Sequence, residues 1–495
     1  MIALPAGTPL TIDVITLTTG DIPALVLGGV GTAPSVLALV GSRSRLPAIV
    51  EASSGRWNAT VPLLVSRWGG AEMAPPSGRY RFEPPLNTTA TLPEGHLVSG
   101  RFRIDIDTIE RAIAISFAAP LTDAEAGKVQ QAKLEANYLA TEYPPQNVVF
   151  FESFYGQNAS CNPLALDRAL AIARPDIPRY WGVRDASVIV PEGSIALLEG
   201  SEEWWRIRGS ARLIVINDWL RNRYRKRRHQ KVLQTWHGTM LKKLALSRSG
   251  LRLRPTLATL RERSRWNILL SQNHYATRIF RRAYLYTGAV WEEGYPRDDL
   301  LLTGNAAAVR AKLGIADDTK VLLYAPTWRD DRPDHVDHLD VSKFTEQLGC
   351  DYVTLIRGHS RTLQPGTDVY AGGVIDVTSY PDVSELFLIA DALITDYSSV
   401  MFDFSVTGKP IFFFTPDLDR YREVLRGFYF DLIAVAPGPV VRDPHELIRL
   451  IRAQDGAGEQ FVQKYAAWRA RFNPRDDGKA AERVIARVLR EGILK

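Results

Sequence analysis

Cysteine is almost missing from this chain: 495 residues carry two, Cys161 and Cys350, far apart. That excludes a disulfide-stapled fold and favours a reducing compartment. Long hydrophobic runs are missing as well. No uninterrupted apolar stretch reaches the roughly 20 residues that a membrane-spanning helix needs, and the opening "MIALPAGTPLTIDV" lacks the charged start and apolar run of a secretory signal. A cytoplasmic location is therefore expected, and the sequons at Asn58, Asn87 and Asn158 carry little meaning. Neither a P-loop, a dinucleotide-binding glycine fingerprint nor a serine-nucleophile elbow stands in the context each requires. No repeat recurs at solenoid spacing. Nothing points to a cofactor, and dependence on a divalent cation is left open.

What the chain does have is a hydrophobic fraction of 45% beside a charged fraction of 23%, a balance that fits a globular protein. At this length two or three domains are expected. Lysine and arginine number 61 against 55 acidic residues, a net charge of +6. Much of the excess falls between Arg206 and Arg282, which makes a polyanionic partner the natural expectation: nucleic acid, an anionic membrane face or a phosphate-rich substrate.

Residues 1 to about 120 alternate apolar and polar positions in short bursts, such as "ATVPLLVSRW" and "RAIAISFAA", separated by Gly, Pro, Ser and Asn. This pattern predicts a small all-β domain. "LTDAEAGKVQQAKLEANYLAT" (121–141) reads as a connecting helix with Thr122 as its N-cap, closed by Pro144 and Pro145. After Asn147 short apolar runs alternate with helical segments, the rhythm of a parallel α/β sheet, and a second such series begins near Lys320. Ligands of open α/β sheets bind beyond the carboxyl ends of the strands. Asn217, His237, Asn273, Thr327, His359 and Ser398 stand there.

Three of these stretches carry chemistry. In "ALITDYSSVMFDF" (392–404) a strand, a polar turn and a helix place Ser398 and Ser399 at a helix start, where amides and hydroxyls suit a nucleotide diphosphate; Asp403, a turn on, suits a ribose hydroxyl. In "VTLIRGHS" (353–360), Arg357 and His359 are placed to neutralise a leaving phosphate. In "QTWHGTMLKKL" (234–244), His237 ends a strand with Gly238 and Thr239 behind it. An imidazole, with an unperturbed pKa of about 6.5, suits a general base. Cations flank it: Arg221, Arg223, Arg225, Lys226, Arg227 and Arg228 on one side, Lys242 and Lys243 on the other. Such a run suits anionic acceptors or anionic lipid head groups. Only Tyr224 interrupts the run, which disfavours single-stranded nucleic acid, whose bases need stacking aromatics. "DDRPDHVDHLD" (330–340) contains His335 and His338 but lacks the scaffold that fixes metal geometry, so no metal site is expected.

These stretches, with "FFESFYGQNASCNP" (150–163), "EGYPRDDLL" (293 onward), "YAPTWRDD" (324–331), "GKPIFFF" and "DDGKAAERV" (476–484), resemble the CDP-glycerol glycerophosphotransferase family, the teichoic-acid polymerases and primases, over roughly residues 147 to 490. The resemblance implies a GT-B fold of two Rossmann-like domains. Residues 147–303 would then take the acceptor and 304–495, with its terminal helices, the nucleotide donor; a β-rich domain (1–120) and a connecting helix and linker (121–146) precede them. It implies transfer of glycerol phosphate from CDP-glycerol to a lipid-linked poly(glycerol phosphate) or related acceptor, with release of CMP, in teichoic-acid-type cell-wall polymer synthesis. It further implies attachment to the inner face of the membrane, with no nucleic-acid partner and no implied oligomeric state. By motif, His237 is the candidate base and His359 a donor-phosphate residue, joined by Arg357, Thr327, Ser398, Ser399 and Asp403; Gly238, Thr239, Lys242 and Lys243 fall on the acceptor side. Met240 departs from the proline that usually follows HGT in the family. Transfer from CDP-ribitol, capsule polymerisation and nucleotide-sugar glycosyl transfer are the alternatives.

Overall fold

The structure, a computed structural model, describes all residues except 1–9, 19–21, 67, 69, 90–96, 110–111, 222, 249–252, 328–338, 359–371, 419–426 and 454–457. Its described residues form three sheets.

Strands between Leu10 and Ala118 build an eleven-stranded sheet. The pairing is antiparallel except where Leu10–Thr18 runs parallel to Leu86–Thr88. Period-two patterning is literal here: along Arg56–Pro62 the side chains of Trp57, Ala59 and Val61 point inward and those between them do not. A core of Trp57, Tyr80, Phe82, Phe102 and Phe117 results. Gly29 is required beside it, because a Cβ there would stand 2.3 Å from the Trp57 ring.

The connecting helix is shorter than the sequence predicts. Thr122 and Glu125 close a hydrogen-bonded turn of their own, the Glu125 carboxylate accepting from the Thr122 amide at 3.0 Å and hydroxyl at 2.9 Å. Gly127, at φ 86°, breaks the chain direction, and the helix runs only over Lys128–Ala140.

Two parallel sheets follow. In the first the strand order is Ile195–Leu198, Arg179–Val183, Gln146–Glu152, Ala211–Ile216, Lys231–Gln234, Ile268–Ser271, Ala289–Glu292. In the second it is Val374–Asp376, Tyr352–Ile356, Lys320–Ala325, Ala392–Thr395, Ile411–Phe414, Val440–Val441. Their central strands, "ARLIVI", "ILLS", "ALIT" and "IFFF", are almost wholly buried, since strands covered on both faces need continuous apolar runs. One correction concerns the chain's end. The sequence groups the terminal helices with residues 304–495, yet Ala480–Arg490 packs Ala481, Val484, Ile485 and Val488 into the core of the first sheet, against Phe151 and Trp181. Asp299 anchors it there, accepting from the amides of Ala480 and Ala481. Among the described residues no helix is long and apolar enough to cross a membrane.

Candidate active site

The strand Lys231–Gln234 lies between Ala211–Ile216 and Ile268–Ser271, and its end sets the position of His237. Trp236 takes a left-handed conformation (φ 57°), its amide held by the Gln234 side chain at 2.8 Å. Such a conformation persists in a bulky residue only where surrounding packing fixes it. Here the indole meets Trp266, Phe280 and Tyr284 edge-on. The His237 ring stacks on that indole with centroids 5.3 Å apart and planes 7° from parallel, and Phe154 leans on it from 5.6 Å.

His237 Nδ1 stands 2.6 Å from the carbonyl oxygen of Asn217. A carbonyl only accepts, so Nδ1 carries a proton, and in the neutral ring the lone pair then lies on Nε2, the tautomer a general base requires. No described residue hydrogen-bonds Nε2, and the ring is half-buried. Asn217 is itself fixed by the Phe154 amide, which donates to its Oδ1 at 2.9 Å.

Beside this imidazole the two sheets meet. A Cβ on Gly238 would lie 2.9 Å from Ser399 Oγ and 3.9 Å from Arg297 Nη2, so HGT and TDYSS share one wall. Ser399 precedes the short helix Val400–Phe404, and its hydroxyl makes no capping bond there. Ser398 and Ser399 are both half-buried. Asp396 of the same turn accepts from the Thr327 amide at 2.9 Å, and Lys242 reaches across from the first sheet to put Nζ 3.4 Å from Thr327 Oγ1. Residues 241–244 and 427–429 tie the halves together, the Lys243 amide donating to Gly427 at 2.9 Å and the Tyr429 amide to Leu241 at 2.8 Å. Gly238 therefore approaches Ser399, and Lys242 approaches Thr327, across the seam between the two parallel sheets.

Several other expectations need correction. Asp403 does not face a ligand: its Oδ2 takes a 2.8 Å ion pair from Arg297, with both side chains at most 6% exposed. Thr239 is fully buried, donating to Gln272 and accepting from Asn273. Arg357 spends Nη1 on the carbonyls of Val377 and Tyr380, at 3.1 and 2.8 Å. His359 lies outside the described residues, as do His335 and His338. Among the described residues no group of three or more His, Cys, Asp or Glu is placed to hold a metal ion.

The basic run is tied to neighbouring segments at several points, with Arg227 buried and Arg223, Lys226 and Arg228 exposed. Arg227 is buried, stacked over Tyr138 at 4.3 Å and donating to its carbonyl. Arg225 pairs with Glu142, Arg223 with Glu135 and Arg221 with Glu199. Lys226 donates to the Ser264 carbonyl, while Arg228 is exposed. Glu135 and the Tyr138 carbonyl come from the connecting helix, Glu142 from the segment just after it, and Glu199 and Ser264 from elsewhere, partners that the local sequence around 221–228 does not reveal.

Arg297 is the residue of this seam that sequence reasoning missed, although its motif, "EGYPRDD", was in view. Beyond Asp403, it donates from Nη1 to Cys161 Sγ at 3.1 Å and from its amide to Asn162 Oδ1 at 3.2 Å. Asn162 in turn donates to the carbonyls of Thr235 and Trp236, directly under His237. Asp298 Oδ1 and Asp403 Oδ1 are buried without another donor. Burial and the charges of Asp403 and Asp476 hold Asp298 well above the ordinary carboxylate range, so it keeps a proton that Asp403 accepts. A buried cation and a proton-sharing carboxyl pair thus brace the seam between the sheets.

This geometry has relatives. Residues 137–490 match the family of CDP-glycerol:poly(glycerophosphate) glycerophosphotransferases. A teichoic acid poly(glycerol phosphate) polymerase of Bacillus subtilis is 34% identical over 70% of this chain and 49% of its own length. A teichoic acid glycerol-phosphate transferase of Staphylococcus aureus is 34% identical over 71% of this chain and 95% of its own. A solved structure of the wall teichoic acid polymerase TagF superposes with a TM-score of 0.68 at 34% identity, covering 74% of this chain and 94% of that one. The chain spans about half the length of the Bacillus subtilis polymerase. With the match extending over well more than half its residues, the chain belongs to the CDP-glycerol:poly(glycerophosphate) glycerophosphotransferase family.

Proposed function

We propose that this chain transfers glycerol phosphate from CDP-glycerol to the hydroxyl end of a lipid-linked poly(glycerol phosphate) or related acceptor, releasing CMP. The two parallel sheets would be the halves of a GT-B fold, acceptor side 147–303 and donor side from 304 onward, with the all-β unit preceding them. The observation that carries this reading is His237, held with its Nδ1–H on a carbonyl where Gly238 meets Ser399. A TagF structure soaked with CDPG supports the choice of donor.

In this mechanism the acceptor hydroxyl gives its proton to His237 Nε2 as its oxygen attacks the phosphorus that bears the glycerol. The bond from that phosphorus to CMP breaks, and CMP leaves with the electron pair. Such a step depends on positioning and charge stabilisation. The Ser398 and Ser399 hydroxyls and Lys242 supply donors to the phosphates. His359 and Arg357 are assigned to the leaving phosphate by motif alone, and Asp403 acts through Arg297 rather than on a hydroxyl.

Membrane attachment would draw on the helix Leu253–Arg263 beside the exposed Arg223, Lys226 and Arg228: Leu253 and Leu257 are 79% and 66% exposed one turn apart, with Arg254 and Arg261 also exposed. An exposed apolar pair beside cations suits the interface of an anionic bilayer.

CMP release from CDP-glycerol, with CDP-ribitol and a UDP-sugar in parallel, tests the reading. Acceptor-dependent release with CDP-glycerol, lost by 100-fold or more in a folded His237→Ala variant, is expected. Full activity in that variant would overturn the mechanism.

A further inference from the structure

Seven of the described residues other than glycine hold φ in the left-handed region, and three of them gather at one imidazole. Trp236 precedes His237 and stacks on it, Phe154 leans on it from the end of the strand Gln146–Glu152, and Tyr155 follows Phe154. With Gly156 the last two form a left-handed turn, φ being 45°, 60° and 71° in order. Crowding of Cβ makes this conformation costly for L-residues, and a turn that only reversed the chain would use glycine or asparagine. Two consecutive aromatic residues in it are strain that their surroundings hold in place.

The bonds that shape the turn do not use the amide or the ring of Phe154. Ser153 Oγ donates to the Asn158 carbonyl at 2.6 Å and accepts from the Ser160 amide at 3.2 Å, and the Arg184 amide donates to the Gly156 carbonyl at 2.8 Å. The groups of Phe154 and Tyr155 go instead to the end of the adjacent strand Ala211–Ile216. The Phe154 amide donates to Asn217 Oδ1 at 2.9 Å, and the Tyr155 hydroxyl to the Asp218 carboxylate, with Arg221 Cζ 4.4 Å over the Tyr155 ring.

Asn217 is fully buried, and its Nδ2 has no partner among the described residues. The bond from the Phe154 amide is therefore the one its side chain makes there. An unpaired buried amide group is a second local cost at the same place as the strained turn. Both costs lead to one result. The residue whose carbonyl receives His237 Nδ1 at 2.6 Å is clamped through its own side chain, by the residue whose ring rests on the imidazole.

We propose that Asn217 and Phe154 are positioning residues for the transfer: the left-handed turn clamps Asn217, the Asn217 carbonyl keeps the proton of the neutral ring on Nδ1, and Nε2 is left to take the proton of the acceptor. The proposal deepens the transfer reading and rests on it for the reaction.

The ring nitrogens report the clamp without turnover. Full-length protein carrying ring-15N histidine is compared with its variants by NMR at about pH 8.5, where an ordinary imidazole is neutral, and the signals lost in His237→Ala are assigned to His237. The wild type is expected in the Nδ1–H form. Asn217→Ala removes the clamp and should give a mixture of both tautomers, with kcat lower by about tenfold or more and the KM for CDP-glycerol within about twofold of wild type. Phe154→Gly keeps the amide and suits the left-handed backbone, so it folds with the Nδ1–H form retained, yet without the ring on the imidazole its kcat should also fall about tenfold. A wild type in the Nε2–H form, a folded Asn217→Ala variant that keeps the wild-type signals, or wild-type kcat in Phe154→Gly overturns the proposal; should Asn217→Ala fail to fold, the wild-type signals and Phe154→Gly decide. A wild type that holds the Nδ1–H form through Asn217 but releases no CMP from CDP-glycerol overturns the transfer reading and leaves the clamp standing.

Discussion

Glu152 permits a prediction whose size follows from its surroundings. It ends the strand Gln146–Glu152 opposite Ile216, is 7% exposed, and lies where a Cβ on Gly182 would come within 3.3 Å of its Oε2. Burial is the first cause that lifts its pKa to about 7; the nearby charges of Glu199 and Asp218 add to the rise, while Arg208 and Arg221 oppose it. An ordinary glutamate ionises near 4.5. Below that value both folded and unfolded states are protonated and no penalty exists. As pH rises from 4.5 to about 7 the unfolded chain loses the proton first, so stability falls, and above 7 the loss is complete. At about 1.4 kcal/mol per pH unit the folded state carries a penalty of about 3 kcal/mol. Glu152→Gln keeps the shape and removes the titration. Urea unfolding followed by tryptophan fluorescence should find the variant's advantage over wild type growing by about 2 to 3 kcal/mol between pH 5 and pH 8. An advantage unchanged between the two pH values, or one that shrinks at pH 8, would refute the argument that burial dominates this site.

Three other outcomes follow from contacts already described. Gly238→Ala drives a methyl against Ser399 Oγ and separates the motifs at the cleft; a misplacement of that order should lower kcat about 100-fold with little change in melting temperature. Arg297→Met strands Asp403 beside a protonated Asp298 and should cost about 3 to 5 kcal/mol of stability by urea unfolding. Leu253→Ser combined with Leu257→Ser should reduce co-sedimentation with anionic phospholipid vesicles at least tenfold, each leucine contributing about 1.5 to 3 kcal/mol when buried; unchanged co-sedimentation would remove this helix from the membrane contact.

Local patterns were enough to read the alternating strands before Ala118, the apolar runs of the two parallel sheets and the residues that end those strands, because side-chain periodicity and turn chemistry act over a few residues. The connecting helix shows the limit of such reading. Its periodic pattern extends back to Leu121, but a Thr122–Glu125 turn and the left-handed Gly127 shorten it to Lys128–Ala140. The terminal helix shows another limit: its apolar face is legible, but not the sheet that receives it.

The same division holds in the site. The amino-acid sequence alone placed His237, Ser398 and Ser399 at strand ends, where an imidazole and paired hydroxyls can act, and the ordered motifs identified the family. Only the tertiary structure decided which tautomer His237 holds, since that depends on a carbonyl 20 residues away at Asn217. It alone turned Asp403 inward, because the partner that makes burial tolerable, Arg297, comes from the other sheet. It alone joined Arg223, Arg225 and Arg227 to partners within residues 135–142 and set Trp68 against Tyr380. Periodicity and charge are written residue by residue; the partner that satisfies a buried charge is chosen only when distant segments close on one another.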